Sequence, residues 1–284
     1  MSILAVQLNH PGREKPFRLG KGYRQTPKGI IREWNDDATH YRKFLKTYGQ
    51  YIQAPGEVSK SGIINFWGEW EGNSYFEPVS DVHTNGIHIP FHSMDPRGHQ
   101  NTDPYVYGEA FRYAICKQRG RLIQLEPGSV ILFGSSFKSG FALDTVFVVG
   151  SFQSVQSVYA ENAARYSLTY RQATLESLAD VYLTPNPNSS LRLYSGVSYT
   201  PDASLFSFVP CRVGEPIGYD FRARCIFPYN MNSVIPFSNN PTGIKILGED
   251  SSAVMNIWEK ILRYVQLKQY ALGIQIDEPQ FILL

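Results

Sequence analysis

Two stretches of this sequence set carboxylates beside aromatic rings. The first, INFWGEWE, places Trp67 and Trp70 around Gly68 and Glu69. In an extended strand Trp67 and Glu69 share one face and Trp70 takes the other. A carboxylate beside an indole is costly to desolvate unless a cation or a ligand meets it, and such a setting makes an acid/base residue. The competing reading puts Trp67 in the core, with Glu69 ion-paired to a basic residue near the N-terminus. The second stretch, QNTDPYVYGEAFRYAICKQ, covers residues 100–118. Pro104 keeps Asp103 out of helical geometry, and Tyr105 and Tyr107 point the same way if the chain is extended. An acid with rings nearby suits water activation or a hydrogen bond to a ligand amide. Asp103 and Glu69 are therefore the catalytic candidates, and Trp67, Trp70, Tyr105 and Tyr107 the rings that would hold a flat ligand.

Other groups carry less. His83, His88, His92 and His99 fall close together with Asp81, Asp95 and Asp103. Their spacings match no helical or finger-type zinc pattern, and only the even spacing of His88 and His92 would place two on one strand face. Scattered loop histidines are expected, with no metal and no cofactor. Asp144, flanked by apolar residues, requires a cap, an arginine or a ligand. Gly134, Ser135 and Ser136 after a strand could offer N–H groups to an anion. The glycine-rich signatures of dinucleotide-binding and P-loop proteins and the nucleophile elbow of α/β-hydrolases are missing.

Charge is unevenly distributed. The 284 residues sum to +2, but residues 1–60 hold 11 basic and 5 acidic side chains, a net of +6, against −4 for the rest. Arg13, Lys15, Arg18, Lys21, Arg24, Lys28 and Arg32 alternate with Phe17, Tyr23 and Trp34. Such a segment can hold phosphates while its rings stack on bases, or it can be a solvated loop. Arg13, Lys15, Arg42 and Lys43 are the phosphate-binding candidates, and DNA the expected partner.

The elements that must position these groups read as an α+β fold with a mixed or antiparallel sheet. Ile3 to Leu8 is a buried strand, and GIINFWGEWE, GIHIPFH, SVILFGSSF and FALDTVFVV are strand-like. Asn35, Asp36 and Asp37 are helix-capping types, and Tyr41, Phe44, Leu45 and Tyr48 follow at three- and four-residue spacing, which predicts a basic N-terminal helix with Arg42, Lys43 and Lys46 turned outward. A short helical pattern covers Leu175 to Tyr182. Val254, Ile257, Trp258, Ile261, Leu262 and Val265 predict an amphipathic C-terminal helix capped by Ser251 or Ser252 and followed by Gly273. TPNPNSS, residues 184–190, is the best linker, separating a main α+β domain, 1–183, from a smaller β-rich lobe, 191–284, unless the two are continuous. The chain lacks a run of about 18 apolar residues and a basic, cleavable leader, so a cytoplasmic protein without a membrane span is expected. Cys116, Cys211 and Cys225 form no CxxC pair and are read as reduced and buried.

The tripeptide DPY, residues 103–105, followed by Gly108 and Glu109, resembles the water-activating loop of uracil-DNA glycosylases, whose pattern is GQDPYH. Here Asn101-Thr102 replaces Gly-Gln and Val106 replaces the His, and the chain's His10-Pro11 stands near its start, where the family has its HPSPLS loop near the end. More broadly, HPGREK, HYRKFLKTYG, FWGEWE and TDPYVYGEAF give the chain a look similar to uncharacterised prokaryotic proteins of mobile elements, nucleic-acid modification and antiphage defence. The resemblance implies a DNA-acting protein that takes one, modified, base into an aromatic pocket and cleaves its N-glycosidic bond, with Asp103 or Glu69 orienting water. A recognition module without catalysis and a metal-dependent hydrolase or nuclease are the alternatives.

Overall fold

The computed structural model describes residues 2–10, 22–32, 41–79, 85–93, 102–114, 118, 120–137, 139–154, 165–176, 191–216, 219–229, 235–241 and 243–282. In chain order the strands are β1 (Leu4–Asn9), β2 (Tyr23–Thr26), β3 (Gly29–Arg32), β4 (Lys43–Ile52), β5 (Lys60–Gly68), β6 (Ser74–Pro78), β7 (Gly86–His92), β8 (Arg112–Tyr113), β9 (Val130–Phe137) and β10 (Gly140–Ser154). They continue as β11 (Arg192–Gly196), β12 (Val209–Val213), β13 (Cys225–Pro228), β14 (Ile244–Glu249), β15 (Ala271–Ile276) and β16 (Gln280–Phe281). Helix α1 (Leu168–Tyr170) runs on into a π turn over Arg171–Leu175, and α2 spans Ser251–Leu267.

Two mixed sheets dominate. The first has the order β14-β1-β9-β10-β11-β8, with β13 also on β10; the second runs β15-β12-β5-β4-β7-β6-β3-β2, with β16 on β7. Strand β15 pairs with both β12 and β4, so β4, β5, β12 and β15 close on themselves. In β1, β9 and β10 alternate residues face different layers. Leu4, Val6, Leu8, Ile131, Phe133, Phe147 and Val149 pack toward the second sheet, while Ala5, Val130, Leu132, Val146 and Val148 share a core with α2. Burial on both faces is why these strands read as continuous apolar runs.

Strands from 191–284 lie in both sheets beside strands from 1–183: β11 pairs with β10 and β8, and β12 with β5. The linker candidate 184–190 and most of the helical pattern 175–182 lie outside the described residues. No helix among them is long and apolar enough to cross a membrane.

Two sequence expectations are corrected. The segment holding Tyr41, Phe44, Leu45 and Tyr48 forms no helix: it is β4, paired with β5 from Lys43↔Gly68 to Tyr51↔Lys60. The aromatic and β-branched residues of KFLKTYGQYI favour a half-buried strand, and tertiary pairing outweighs a three-to-four spacing that only mimics a helical stripe. Gly49 fits this account, because a Cβ there would lie 2.5 Å from the Gln275 carbonyl oxygen where β15 closes on β4. As a consequence Arg42 and Lys43 do not point outward from a helix but are buried. The C-terminal helix is present with its apolar stripe inward, but its cap is Asp250, whose side chain accepts from the Ala253 N–H at 2.9 Å. Gly273 stands in β15, beyond the Lys268 that ends the helix.

Candidate functional site

The hairpin of β9 and β10 is interrupted once. Leu143 faces Gly134 and Thr145 faces Phe133, leaving Asp144 as the extra residue of a bulge. Bulges re-aim side chains. Here the carboxylate meets two guanidiniums, with Oδ1 2.6 Å from Arg224 Nη2 and Oδ2 3.2 Å from Arg42 Nε. Arg42 Nη1 in turn donates to Glu69 Oε2 at 2.9 Å, and His10 Nδ1 lies 3.8 Å from the same oxygen.

Each member is placed by its strand. Arg42 precedes β4 and Glu69 follows β5, and the Lys43↔Gly68 register brings the two side by side. His10 follows β1, its N–H donating to the Gly134 carbonyl at 2.8 Å, and Arg224 directly precedes β13. The four charged side chains are at most 7% exposed. Burial of this kind costs several kcal/mol per ion unless charge and hydrogen bonds compensate, so two sheets that needed only to pack would not require it.

Compensation is incomplete. Among the described residues Arg42 Nη2 has no hydrogen-bond partner, and neither has the Tyr107 hydroxyl. Burial, followed by the charge of Glu69, pushes the Tyr107 phenol well above its ordinary range. A buried donor without an acceptor marks a place where a ligand oxygen would be favoured.

Around this cluster the aromatic candidates divide. Trp67 is half-buried; its Nε1 donates to the Arg222 carbonyl at 2.7 Å, and the guanidiniums of Arg222 and Arg224 stand 5.2 and 4.8 Å from its ring centre. Trp70 is buried on the other side, donating to the Asn73 carbonyl at 2.7 Å and meeting Tyr107 edge-on at 5.4 Å. Tyr107 meets Tyr105 at 5.3 Å, and Tyr105 meets Tyr170 at 4.8 Å. This column is core, not an open slot: Trp70, Tyr105 and Tyr107 are fully buried.

Asp103 is equally buried, and its Oδ1 accepts the Ala114 N–H at 3.0 Å. The Asp103–Pro104 peptide is cis. Lys43 donates to Glu71 Oε1 at 2.9 Å, and the Glu71 N–H donates to Thr102 Oγ1 at 3.1 Å. Tyr107 near Glu69, and Tyr170 near Asp103, thus link both sequence constellations in one buried region. Arg13 and Lys15 lie outside the described residues.

Sequence reasoning required a partner for Asp144 without identifying it, and passed over Arg222 and Arg224 in DFRARC; an isolated acid in an apolar run was the signal available. Of the histidine set, His83, His99, Asp81 and Asp95 lie outside the described residues. His88 Nδ1 is 2.9 Å from Ser74 Oγ, and burial lowers the pKa of His92. No group of three or more metal-ligating side chains occurs among the described residues. Comparison of the chain with protein families, curated proteins and solved structures finds no match.

Proposed function

We propose that this protein acts on DNA, and that the cluster of Arg42, Glu69, Asp144 and Arg224 receives a single nucleotide unit. The observation that carries the proposal is Arg42 Nη2, a buried donor without a hydrogen-bond partner among the described residues, for which a base carbonyl or a phosphate oxygen would supply the acceptor. Glu69, ion-paired to Arg42, is the carboxylate this reading assigns to orient water or stabilise the positive charge that grows on a sugar as its N-glycosidic bond breaks. A modified base of invading DNA is the substrate class this reading favours.

The basic front supports it. Of the basic run from Arg13 to Arg32, the described part is the β2–β3 hairpin on the edge of the second sheet, with Arg24 and Lys28 exposed. Pairings Ile30↔Phe76, Pro78↔Gly86 and Leu45↔His88 put Lys28, at the hairpin turn, at the same end of the sheet as Lys43 and Gly68. Three strand spacings separate them, roughly 14 Å, a span of a few nucleotides. Two described cysteines, both free, suit a reducing cytoplasm.

Asp103 favours a second reading, recognition without catalysis, because its carboxylate is committed to the Ala114 N–H. One experiment separates the two. The protein is incubated with ordinary and base-modified DNA, scoring abasic sites and measuring affinity across salt concentrations. Abasic sites that disappear in Glu69→Gln with binding retained support the enzymatic reading, and binding without base loss on any substrate leaves recognition alone. Lys28→Glu should lower the salt slope by about 1. Affinity that does not change with salt overturns the nucleic-acid reading altogether.

A further inference from the structure

Strand β12 sends its side chains two ways. Cys211 stands opposite Phe66 of β5 and Ala271 of β15, and all three belong to the core shared by the two sheets. Arg212, the next residue, is opposite Asn65 and turns to the other face of the strand, where its guanidinium lies over Tyr270, 4.3 Å from the ring centre. Beside it opens a cavity of ≈ 480 Å³, inside the range of about 300–1,000 Å³ usual for small-molecule sites, and it shares no lining residue with the Arg42 cluster. Arg212, Phe221, Gln53 and Gln269 contribute to its walls. Each of them reaches solvent, Arg212 and Phe221 being half-buried and the two glutamines exposed.

Arg212 is a cation without a countercharge. It makes no ion pair among the described residues, no acid lines the cavity, and its buried Nε has no hydrogen-bond partner. Tyr270 brings no negative charge either. Its hydroxyl donates to the Ala223 carbonyl at 2.8 Å, and burial, aided by Cys225, holds the phenol above its ordinary range against the charge and hydrogen bond of Arg212. Burial and the charge of Asp144 raise the Cys225 thiol while Lys268 and Arg212 act against them, so two cations stand near one point. Asp144 itself is already held by Arg224 and Arg42. Gln269 has φ +60°, the left-handed conformation in which glycine is the usual residue after a helix, so an amide is kept at the cavity wall despite backbone strain.

The chemistry of the walls chooses among anions. A guanidinium fork matches the oxygens of a phosphate, an aromatic ring stacks on a planar heterocycle, and side-chain amides both donate to and accept from its polar edge. A bare inorganic anion would leave the ring and the amides unused. We propose that this cavity binds a nucleotide, with its phosphate on Arg212, its base against Phe221, and Gln53 and Gln269 at the polar edge of the base. A free nucleotide and one unit of a strand offer the same chemistry. The inference stands whether or not the Glu69 cluster acts on DNA.

Calorimetric titration of the full chain with thymidine monophosphate tests it, with inorganic phosphate and thymidine as partial ligands and a short thymidine oligonucleotide as the strand. Saturable binding of the monophosphate is expected, tighter than that of either partial ligand, and weakened about tenfold by Arg212→Met and about threefold by Gln269→Gly. Methionine keeps an apolar stem on Tyr270, and glycine relieves the left-handed backbone at 269, so both variants should fold, and circular dichroism checks this. An oligonucleotide that binds more tightly than the monophosphate and loses the gain in Arg212→Met identifies a strand as the source; otherwise the source is a free nucleotide. Three results overturn the proposal: no saturable binding of the monophosphate or the strand to wild type, wild-type affinity in both variants, or inorganic phosphate bound as tightly as the monophosphate, which would reduce the site to a simple anion contact.

Discussion

Arg42 Nε lies 3.2 Å from Asp144 Oδ2, and this contact ties the start of β4 in one sheet to the bulge of β10 in the other. With Glu69 on its Nη1, Arg42 is the only countercharge that both carboxylates share among the described pairs. Replacing it leaves two buried acids short of a partner. Arg42→Met should therefore cost about 3–5 kcal/mol in urea unfolding, and adding Glu69→Gln should recover part of the loss. Unchanged stability in the single variant would mean that the cluster is solvated.

Tyr107 tests the other side of Glu69. Its hydroxyl is fully buried without a hydrogen-bond partner among the described residues. Tyr107→Phe removes an unsatisfied group and keeps the ring contacts with Trp70 and Tyr105, so stability should be unchanged or higher by about 1 kcal/mol. If the hydroxyl serves a ligand of the Glu69 site, DNA affinity should fall while the melting temperature does not.

The buried thiols set an alkaline limit. Burial pushes Cys211 and Cys225 from an ordinary 9.0 up to about 12, and the charge of Asp144 adds to the effect at Cys225. Between those values the unfolded chain has released protons that the native protein retains, so stability must fall as pH rises from about 9 to about 12. The slope approaches about 1.4 kcal/mol per pH unit for each thiol. Burial of Tyr105, Tyr107 and Tyr170 acts in the same direction. Urea midpoints at pH 8 and 10 measure it, and a Cys211→Ala/Cys225→Ala variant should show the shallower dependence.

Gly134 supports both the bulge and His10. A Cβ there would run into the Ala142 carbonyl oxygen and the ring of Phe141. Neither atom can swing away, so Gly134→Ala should destabilise by about 1–3 kcal/mol and disturb the loop that places His10 beside Glu69. Thermal unfolding reads the first effect, and the His10 imidazole resonances the second.

Periodicity made parts of the fold legible. The stripe of α2 follows from residues that neighbour one another along a single helix, and β1 from a short apolar run that ends in a turn signal. The same logic failed at Tyr41–Tyr48, because apolar spacing does not distinguish a helical stripe from a strand with large residues on both faces, and only pairing with β5 and β15 decides it.

The site divides in the same way. Sequence alone determined that Glu69 would need a cation or a ligand and that Asp144, alone in an apolar run, would need a cap, an arginine or a ligand, since unpaired buried charge is too costly to keep. Tertiary structure decided that one side chain, Arg42, serves both acids, with Arg224 also on Asp144, because strand register and a bulge bring residues 42, 69 and 144 together from separate sheets. It also decided that Tyr105 and Tyr107 serve as core: exposure belongs to the packed layers, and spacing along the chain does not contain it.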